Sequence, residues 1–220
     1  MRLLLFLVFM VINKPVLAQL AFFDESSLKI SASTKKFIAK NQNDPKFMLE
    51  SCAFLTDCED FHYHKMKLKI KGNAKDAFSE MLKSNGKKLW SGKSSFDLVY
   101  DENQGLYFDQ SSKDLPNIGL NQVYFLELSI TPKVKIPVAF KIVIIDPVDL
   151  ILAFSYLDKN ESRGIQQLSF HQQGEYFEII HETRFKSESD LRDVFLYKPF
   201  HKMLLNDFYQ KFENNLLIAR

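Results

Sequence analysis

The most regular strand pattern in the sequence is Glu175-Tyr-Phe-Glu-Ile-Ile-His-Glu-Thr-Arg-Phe185. Its side chains alternate with the two-residue period of a half-buried β-strand. One face of this strand carries Phe177, Ile179, His181, Thr183 and Phe185. The opposite face carries Glu178, Glu182 and Arg184, which favours contact with water. The stretch therefore predicts a strand with one buried face and one solvated face.

A second periodic stretch follows after a polar turn at residues 186–190. Its apolar residues recur every four positions, so successive members rotate by only about 40° around a helix and form one broad face. These residues are Phe200, Leu204, Phe208, Phe212 and Leu216, with Leu205 beside them. A strand that leads into a long apolar-faced helix predicts a sheet that wraps the helix. Incomplete closure between the two would leave a pocket.

The first 18 residues have the features of a cleaved signal peptide. Arg2 is followed by the apolar run Leu3 to Ile12, and Val16-Leu17-Ala18 resembles a signal-peptidase site. The run is ten residues long, which is about half of what spans a bilayer. We therefore expect an exported protein, periplasmic or secreted, without a stable membrane anchor.

The charge balance argues against an electrostatic partner. Cleavage after Ala18 removes Arg2 and Lys14 from the 29 basic residues, which leaves 27 against 27 acidic ones. A formally neutral protein is a poor match for nucleic acid or for an anionic membrane surface. Phenylalanine is unusually frequent, at 21 residues against one Trp and eight Tyr. Such a composition suits either ordinary core packing or an apolar ligand.

Cys52 and Cys58 are the only cysteines in the sequence. In an oxidising compartment a lone local pair of this kind predicts a structural disulfide. The five-residue spacer fits no common zinc pattern, and no second pair exists to complete such a site. We therefore predict a disulfide here and no metal.

The segment 19–61 is predicted to be a helical extension that carries this disulfide. Asp44-Pro45 resembles a helix N-cap followed by proline at the first helical position. The side chains that would face inward from this helix are Phe47, Met48, Cys52 and Leu55. The preceding segment, Ser31 to Asn43, is only weakly periodic.

From His62 onward the pattern predicts a strand, a helix and then a run of strands. His62 to Lys71 alternates, and Ala74 to Lys83 has helical periodicity. The later strand-like runs are Phe96 to Tyr100, Leu106 to Asp109, Gln122 to Thr131, Val134 to Ile145, Leu150 to Leu157, Gly164 to His171 and Tyr176 to Phe185. Their short connections favour antiparallel pairing, because parallel strands need long crossovers. On the most hydrophobic run we expect one face to hold Val134, Ile136, Val138, Phe140, Ile142 and Ile144.

This order of elements resembles the START/Bet v 1-like superfamily, also called SRPBCC. The characteristic parts are Met66-Lys-Leu-Lys-Ile70 before Ala74-Lys-Asp-Ala-Phe78, and Leu150 to Tyr156 before Gly164 to Phe170. The resemblance covers about Tyr63 to Leu217, and we assign residues 62–220 to this domain. It implies an α+β helix-grip fold, in which a curved antiparallel sheet wraps a long C-terminal helix. Family members typically hold lipids, sterols or other apolar molecules between sheet and helix, and some are enzymes.

The histidines are candidates for metal ligands and for catalytic groups. A metal site would need three or four of His62, His64, His171 and His181 to converge. We favour instead an exposed strand start at His62 and His64 and a hydrogen-bonded core position for His181. An imidazole at position 181 would give a pocket one polar contact, or act as a general base if a proton donor lay within reach. No Gly-x-Ser-x-Gly motif is present, so no catalytic residue is assigned.

The sequence as a whole predicts an exported protein that binds an apolar small molecule or lipid and needs no cofactor. The predicted ligand-binding residues are Phe140, Phe177, Ile179, His181, Leu204, Phe208 and Phe212. Two alternatives stay open at this point. One is an enzyme on the same scaffold acting on a lipid-like or aromatic substrate, and the other is a filled-core module that binds an unknown protein partner.

Overall fold

The computed structural model describes residues 28–44, 46–131, 134–188 and 198–218. The predicted signal peptide lies outside the described residues. So do residues 189–197, which connect the last strand to the C-terminal helix.

Within the described ranges, eight strands form one antiparallel sheet in the order β1-β8-β7-β6-β5-β4-β2-β3. The strands are β1 (His62–Lys71), β2 (Ser94–Asp101), β3 (Leu106–Asp109), β4 (Gln122–Thr131), β5 (Val134–Asp146), β6 (Ile151–Tyr156), β7 (Ser162–Gln173) and β8 (Tyr176–Ser187). Consecutive strands from β4 to β8 are neighbours, as their short connections predict. The first strand pairs with the last, which brings β1 beside β8.

Four α-helices accompany the sheet in the described ranges. They are α1 (Ala32–Asn41), α2 (Ala74–Lys83), α3 (Gly86–Leu89) and α4 (Lys198–Ile218). Asn73 caps α2, because its side-chain oxygen accepts hydrogen bonds from the N–H groups of Lys75 and Asp76. The structure thus confirms an α+β arrangement of a large antiparallel sheet and a long C-terminal helix.

The main core lies between the inner face of the sheet and α2 and α4. Phe177 and Ile179 of β8 are completely buried there, together with Phe212 of α4. On the other face of β8, Glu178 and Glu182 form ion pairs with Lys67 and Lys65 of β1 at 3.1 and 3.3 Å. The alternation predicted for residues 175–185 is therefore present in the structure.

The helix predicted to begin at Asp44-Pro45 is wrong. The helix of this segment is α1, in the stretch that looked weakly periodic, and Ser31 caps it by accepting a hydrogen bond from the N–H of Thr34. Residues 46–48 form turns, and only a short 3-10 helix, Leu55–Cys58, follows. Hydroxyl groups hold α1 in place, which a search for apolar periodicity does not detect.

The extension packs on the outer face of the sheet. Ile38 of α1 and Phe47 contact Phe125 and Val123 of β4 in a second core cluster. The hydroxyls of Ser31 and Thr34 donate hydrogen bonds to the buried carboxylate of Asp97. Part of the outer face is therefore covered by protein, whereas the β1–β8 edge stays charged and solvated.

The expected common face of β5 is wrong at its end. A bulge between Ile142 and Ile144 shifts the pairing with β6, so Ile144 packs on the outer face and Ile145 on the inner one. A bulge adds one residue to one strand, and this reverses the alternation beyond it. The pattern of side chains alone does not reveal such an insertion.

Candidate functional site

A cavity of about 70 Å³ lies between the inner face of the sheet and the N-terminal half of α4. Its apolar walls come from strands β4 to β7, from the loop after α3 and from α4. They include Trp90, Leu126, Val138, Phe140, Phe154 and Phe208. The rings of Trp90 and Phe140 meet edge to face at 5.2 Å, and Phe208 stacks on Trp90 at 6.3 Å.

In the described residues, five polar side chains line this cavity: Ser94, Tyr156, Gln166, His181 and His201. The last four lie together and are joined by hydrogen bonds. Gln166 is the centre of the group, because its Oε1 lies 2.7 Å from His181 Nε2 and 3.2 Å from His201 Nε2. Its amide nitrogen donates a hydrogen bond to the Tyr156 hydroxyl. The cavity is therefore amphipathic, with aromatic walls and one polar side.

These contacts determine which ring nitrogens carry protons. With Gln166 Oε1 as acceptor, both His181 and His201 donate from Nε2, so their Nδ1 atoms accept. His181 Nδ1 accepts from the Tyr209 hydroxyl at 2.8 Å. His201 Nδ1 lies 3.1 Å from His64 Nδ1, so His64 is the donor of that pair. One consistent chain of hydrogen bonds thus runs from β1 through α4 and β7 to β8.

Burial keeps this group uncharged. Desolvation lowers the pKa of His181 to about 3, and the neighbouring His64 contributes to the decrease. Desolvation also holds the pKa of His201 well below its ordinary value, with His181 and His64 adding to the effect. Burial raises the pKa of Tyr209 well above its ordinary range. At neutral pH the polar side of the cavity therefore offers neutral hydrogen-bonding groups.

Comparison with known proteins gives a fold and no sequence relative. No protein-family model matches the sequence, and no curated protein matches it either. Solved structures do match, and ginseng major latex-like protein 151 from Panax ginseng is one of them. It has a TM-score of 0.50 at 12% identity, and the alignment covers 70% of this chain and 95% of that one. The protein has the START/Bet v 1-like helix-grip fold.

Two further structures show the same likeness. A protein from Thermus thermophilus aligns with a TM-score of 0.50 at 13% identity, over 72% of this chain and 99% of that one. Norcoclaurine synthase from Thalictrum flavum, in complex with dopamine and hydroxybenzaldehyde, aligns with a TM-score of 0.52 at 8% identity. That alignment covers 72% of this chain and 88% of the synthase.

In this helix-grip fold, four of the seven predicted ligand-binding residues line the cavity. They are Phe140, His181, Leu204 and Phe208. Ile179 and Phe212 lie deeper in the main core, where Phe212 is 1% exposed and meets Phe170 edge to face. The role of all seven residues in binding stays a prediction.

Phe177 lines a different depression, of about 270 Å³, between α2 and the end of α4. Its floor is Phe177 and Leu216, and its rim is formed by α2 side chains that include Asp76, Glu80 and Lys83. Glu80 and Lys83 are paired with each other at 3.0 Å on the helix surface. This depression is a surface feature of α2, separate from the cavity below the N-terminal half of α4.

The sequence analysis missed Gln166, His201 and Tyr209. His201 and Tyr209 lie one position after the apolar stripe on α4, and both are buried, at 5% and 2% exposure. Counting them gives a buried face at 201, 205, 209, 212 and 216, which has helical spacing. The helical spacing of the buried face is therefore present in the sequence, but it is visible only if polar residues are counted as members of that face.

The expectation that His62 and His64 mark an exposed strand start is wrong. Both are half-buried, and their side chains point inward. The ring centroid of His62 lies 5.5 Å from that of Phe185, and the ring centroid of His64 lies 5.3 Å from that of His201. The hydrogen-bonded core position expected for His181 is confirmed. In the described residues, no group of three or more His, Cys, Asp or Glu side chains is arranged to hold a metal ion.

The structure also bears on the predicted disulfide and on the expected lack of a membrane anchor. Cys52 and Cys58 lie at disulfide distance, with their Cα atoms 6.3 Å apart, and both are buried against β6 and β7 on the outer face. No helix in the described part of the chain is long and apolar enough to cross a membrane.

Proposed function

We propose that this protein binds an apolar small molecule or lipid in the cavity between the sheet and α4. The observation that supports the proposal is the cavity itself, which has aromatic walls and a small set of polar groups on one side. Small-molecule sites in proteins have this composition. The solved structures with the same fold include one, norcoclaurine synthase, that holds two small aromatic molecules.

The volume of the cavity sets a condition on binding. Ligand pockets usually measure about 300–1,000 Å³, whereas this cavity measures about 70 Å³. A molecule larger than a few atoms therefore enters only if a wall moves. The wall formed by His201, Leu204, Leu205 and Phe208 belongs to α4, and we assign the movement to this helix.

The second candidate is a module with a filled core that binds a protein partner, and the small volume of the cavity favours it. In that case the side chains around the cavity serve only to pack the fold, and the protein acts through its surface. His181 gives no support to the enzyme alternative, because both of its ring nitrogens are already hydrogen-bonded in the core.

Titration with the uncharged fluorescent probe N-phenyl-1-naphthylamine separates these functions. Val138 lines the cavity, so Val138→Phe fills it and should weaken probe binding about tenfold or more, equivalent to about 1.4 kcal/mol. Val148 is 84% exposed in the β5–β6 turn, so Val148→Phe is the matched control and should leave binding unchanged. Equal binding by both variants, or no binding by the unmodified protein, would support the filled core.

We also propose that the protein is exported and works in the periplasm or outside the cell. The support is the signal-like sequence Met1 to Ala18 together with the cysteine pair. N-terminal sequencing of the exported protein should find Gln19 first. Retention of Met1 in a membrane fraction would contradict this proposal.

A further inference from the structure

Three polar side chains form a row across the inner face of the sheet, beside the cavity. Thr183 of β8 lies opposite His64 of β1 on one side and opposite Gln166 of β7 on the other. Gln166 also lines the cavity, so the row begins where the apolar walls end. Polar groups in this position fix the orientation of a ligand that an apolar cavity holds.

The imidazole of His201 covers this row. Its Nε2 is 3.2 Å from Gln166 Oε1, and its Nδ1 is 3.1 Å from His64 Nδ1. Because β8 lies between β1 and β7, the ring extends from one flanking strand towards the other, over the position of Thr183. His201 therefore makes the contacts with the sheet that the polar group of a ligand would make.

Thr183 is left without a partner beneath this ring. Its side chain is fully buried, and among the described residues its Oγ1 is the one buried side-chain oxygen or nitrogen that has no hydrogen bond. Folded proteins keep few such groups, because a buried hydroxyl that loses water and gains no partner lowers stability. The missing partner of the Thr183 hydroxyl is accounted for if a polar group of a ligand bonds to it, and such a group can reach it only when His201 has moved away.

We infer that His64, Thr183 and Gln166 form a polar subsite for an uncharged hydrogen-bonding group of the ligand, and that His201 of α4 closes this subsite in the ligand-free protein. The inference rests on the proposed function and specifies the chemical class of its ligand. That class is an apolar molecule with a hydroxyl, carbonyl or amide group at one end. Among the described residues that line the cavity, none is Asp, Glu, Lys or Arg, so a charged group would lack a partner there.

The subsite also explains how the small cavity accommodates a ligand. His201 lies near the start of α4, one turn before Leu204 and Leu205, which line the same cavity. Displacement of this turn removes the imidazole from the row and joins the row to the space of about 70 Å³. One movement thus opens the cavity and exposes the groups that recognise the ligand.

The test compares naphthalene, 2-naphthol and 2-naphthoate as competitors of N-phenyl-1-naphthylamine on the full chain. His201→Ala opens the subsite, so it should tighten 2-naphthol binding about tenfold and should tighten naphthalene binding clearly less. Adding Thr183→Val to His201→Ala removes one hydrogen bond. It should weaken 2-naphthol binding about fivefold and leave naphthalene binding unchanged.

The three competitors separate the possible failures. Equal tightening of naphthalene and 2-naphthol in His201→Ala would overturn the subsite and leave the proposed function standing. Failure of every probe to bind any form of the protein would overturn the proposed function, and the subsite with it. Binding of 2-naphthoate as tight as that of 2-naphthol would overturn the requirement for an uncharged group.

A second variant keeps the inference testable if His201→Ala does not fold. Thr183→Val alone preserves the shape of the side chain and removes the unpaired hydroxyl, so the melting temperature of the ligand-free protein should rise. Thr56→Val is the control at an exposed position and should leave the melting temperature unchanged. A lower melting temperature for Thr183→Val would show that the hydroxyl is already paired, which would overturn the inference.

Discussion

At the scale of single residues, the hydrogen-bonded group around Gln166 gives this protein an expected sensitivity to acid. His181 and His201 are buried and neutral, and both ring nitrogens of His181 bond to uncharged groups, the Tyr209 hydroxyl and the Gln166 amide. In the unfolded chain both would titrate near pH 6.5. The free energy of unfolding is therefore at its full value above about pH 6.5 and decreases as the pH falls.

The variant His181→Gln should reduce this pH dependence. Because folding lowers the pKa of His181 to about 3, the unfolded chain binds one more proton between that value and about 6.5. Between pH 6 and pH 4 the slope of unfolding free energy against pH should decrease by about 1.4 kcal/mol per pH unit. Chemical denaturation at several pH values measures the slope for the unmodified protein and for the variant. Identical slopes for the unmodified protein and His181→Gln would contradict the neutral buried state.

The residue scale also shows where sequence reasoning stops. The inward position of His181 follows from the alternation of β8, because Ile179 and Thr183 are its neighbours on the same face of the strand. The burial of His201 does not follow from its own element, because a polar residue next to an apolar helical stripe is usually solvated. It is buried because His64 and Gln166, which are 137 and 35 positions away in the chain, offer it hydrogen bonds.

At the scale of elements, the two halves of α4 have different environments. Its N-terminal half lines the cavity, whereas Phe212 belongs to the closely packed core with Phe170. Phe208 is half-buried and forms part of the cavity wall. The two phenylalanines are one turn apart, yet their environments differ.

Replacing each of these phenylalanines with Ala should separate the two environments. Phe212→Ala should lower the free energy of unfolding by about 3–5 kcal/mol, because loss of transfer energy and creation of a cavity add together. Phe208→Ala should cost clearly less, since fewer protein atoms surround the ring, and it should change the affinity for N-phenyl-1-naphthylamine. Glu178→Ala on the outer face is the surface control and should stay within about 0.5 kcal/mol. Equal losses for the two Phe variants, without any effect on probe binding, would contradict this division of α4.

The disulfide loop is the second element with a measurable contribution. The pair closes a short loop, so the chain-entropy estimate of its stabilisation is about 2 kcal/mol. Replacing both Cys52 and Cys58 with Ala should reduce the free energy of unfolding by about this amount and leave the fold intact. Reduction of the unmodified protein should give a similar loss, and two freely alkylatable thiols in denatured, unreduced protein would contradict the bond.

Most strand and helix positions could be predicted, because alternation and helical periodicity are local properties. The exceptions are instructive. α1 contributes Ile38 to the second core cluster, but it is also attached by hydrogen bonds from Ser31 and Thr34 to the buried Asp97, which lies more than sixty residues away. The bulge in β5 reverses the side-chain pattern at Ile144 without any change in composition.

At the scale of the whole molecule, the N-terminal extension adds a second packed layer to the sheet. Residues 28–44 and 46–61 cover part of the outer face and bury Phe47, Cys52 and Cys58 there. The sheet is consequently packed on both faces over part of its width, whereas α4 packs on the inner face.

Native mass spectrometry of the full chain, purified from its own host without detergent, is the decisive experiment on whether α4 closes a cavity that holds an apolar small molecule. We expect a non-covalent complex whose added mass disappears after organic extraction and is recovered as an uncharged apolar compound. Val138→Phe, which fills the cavity, should carry no added mass, and Val148→Phe should carry the same mass as the unmodified protein. If all three proteins show only the mass of the bare polypeptide, and none binds N-phenyl-1-naphthylamine, then the cavity is only a packing space and the protein holds no small molecule there.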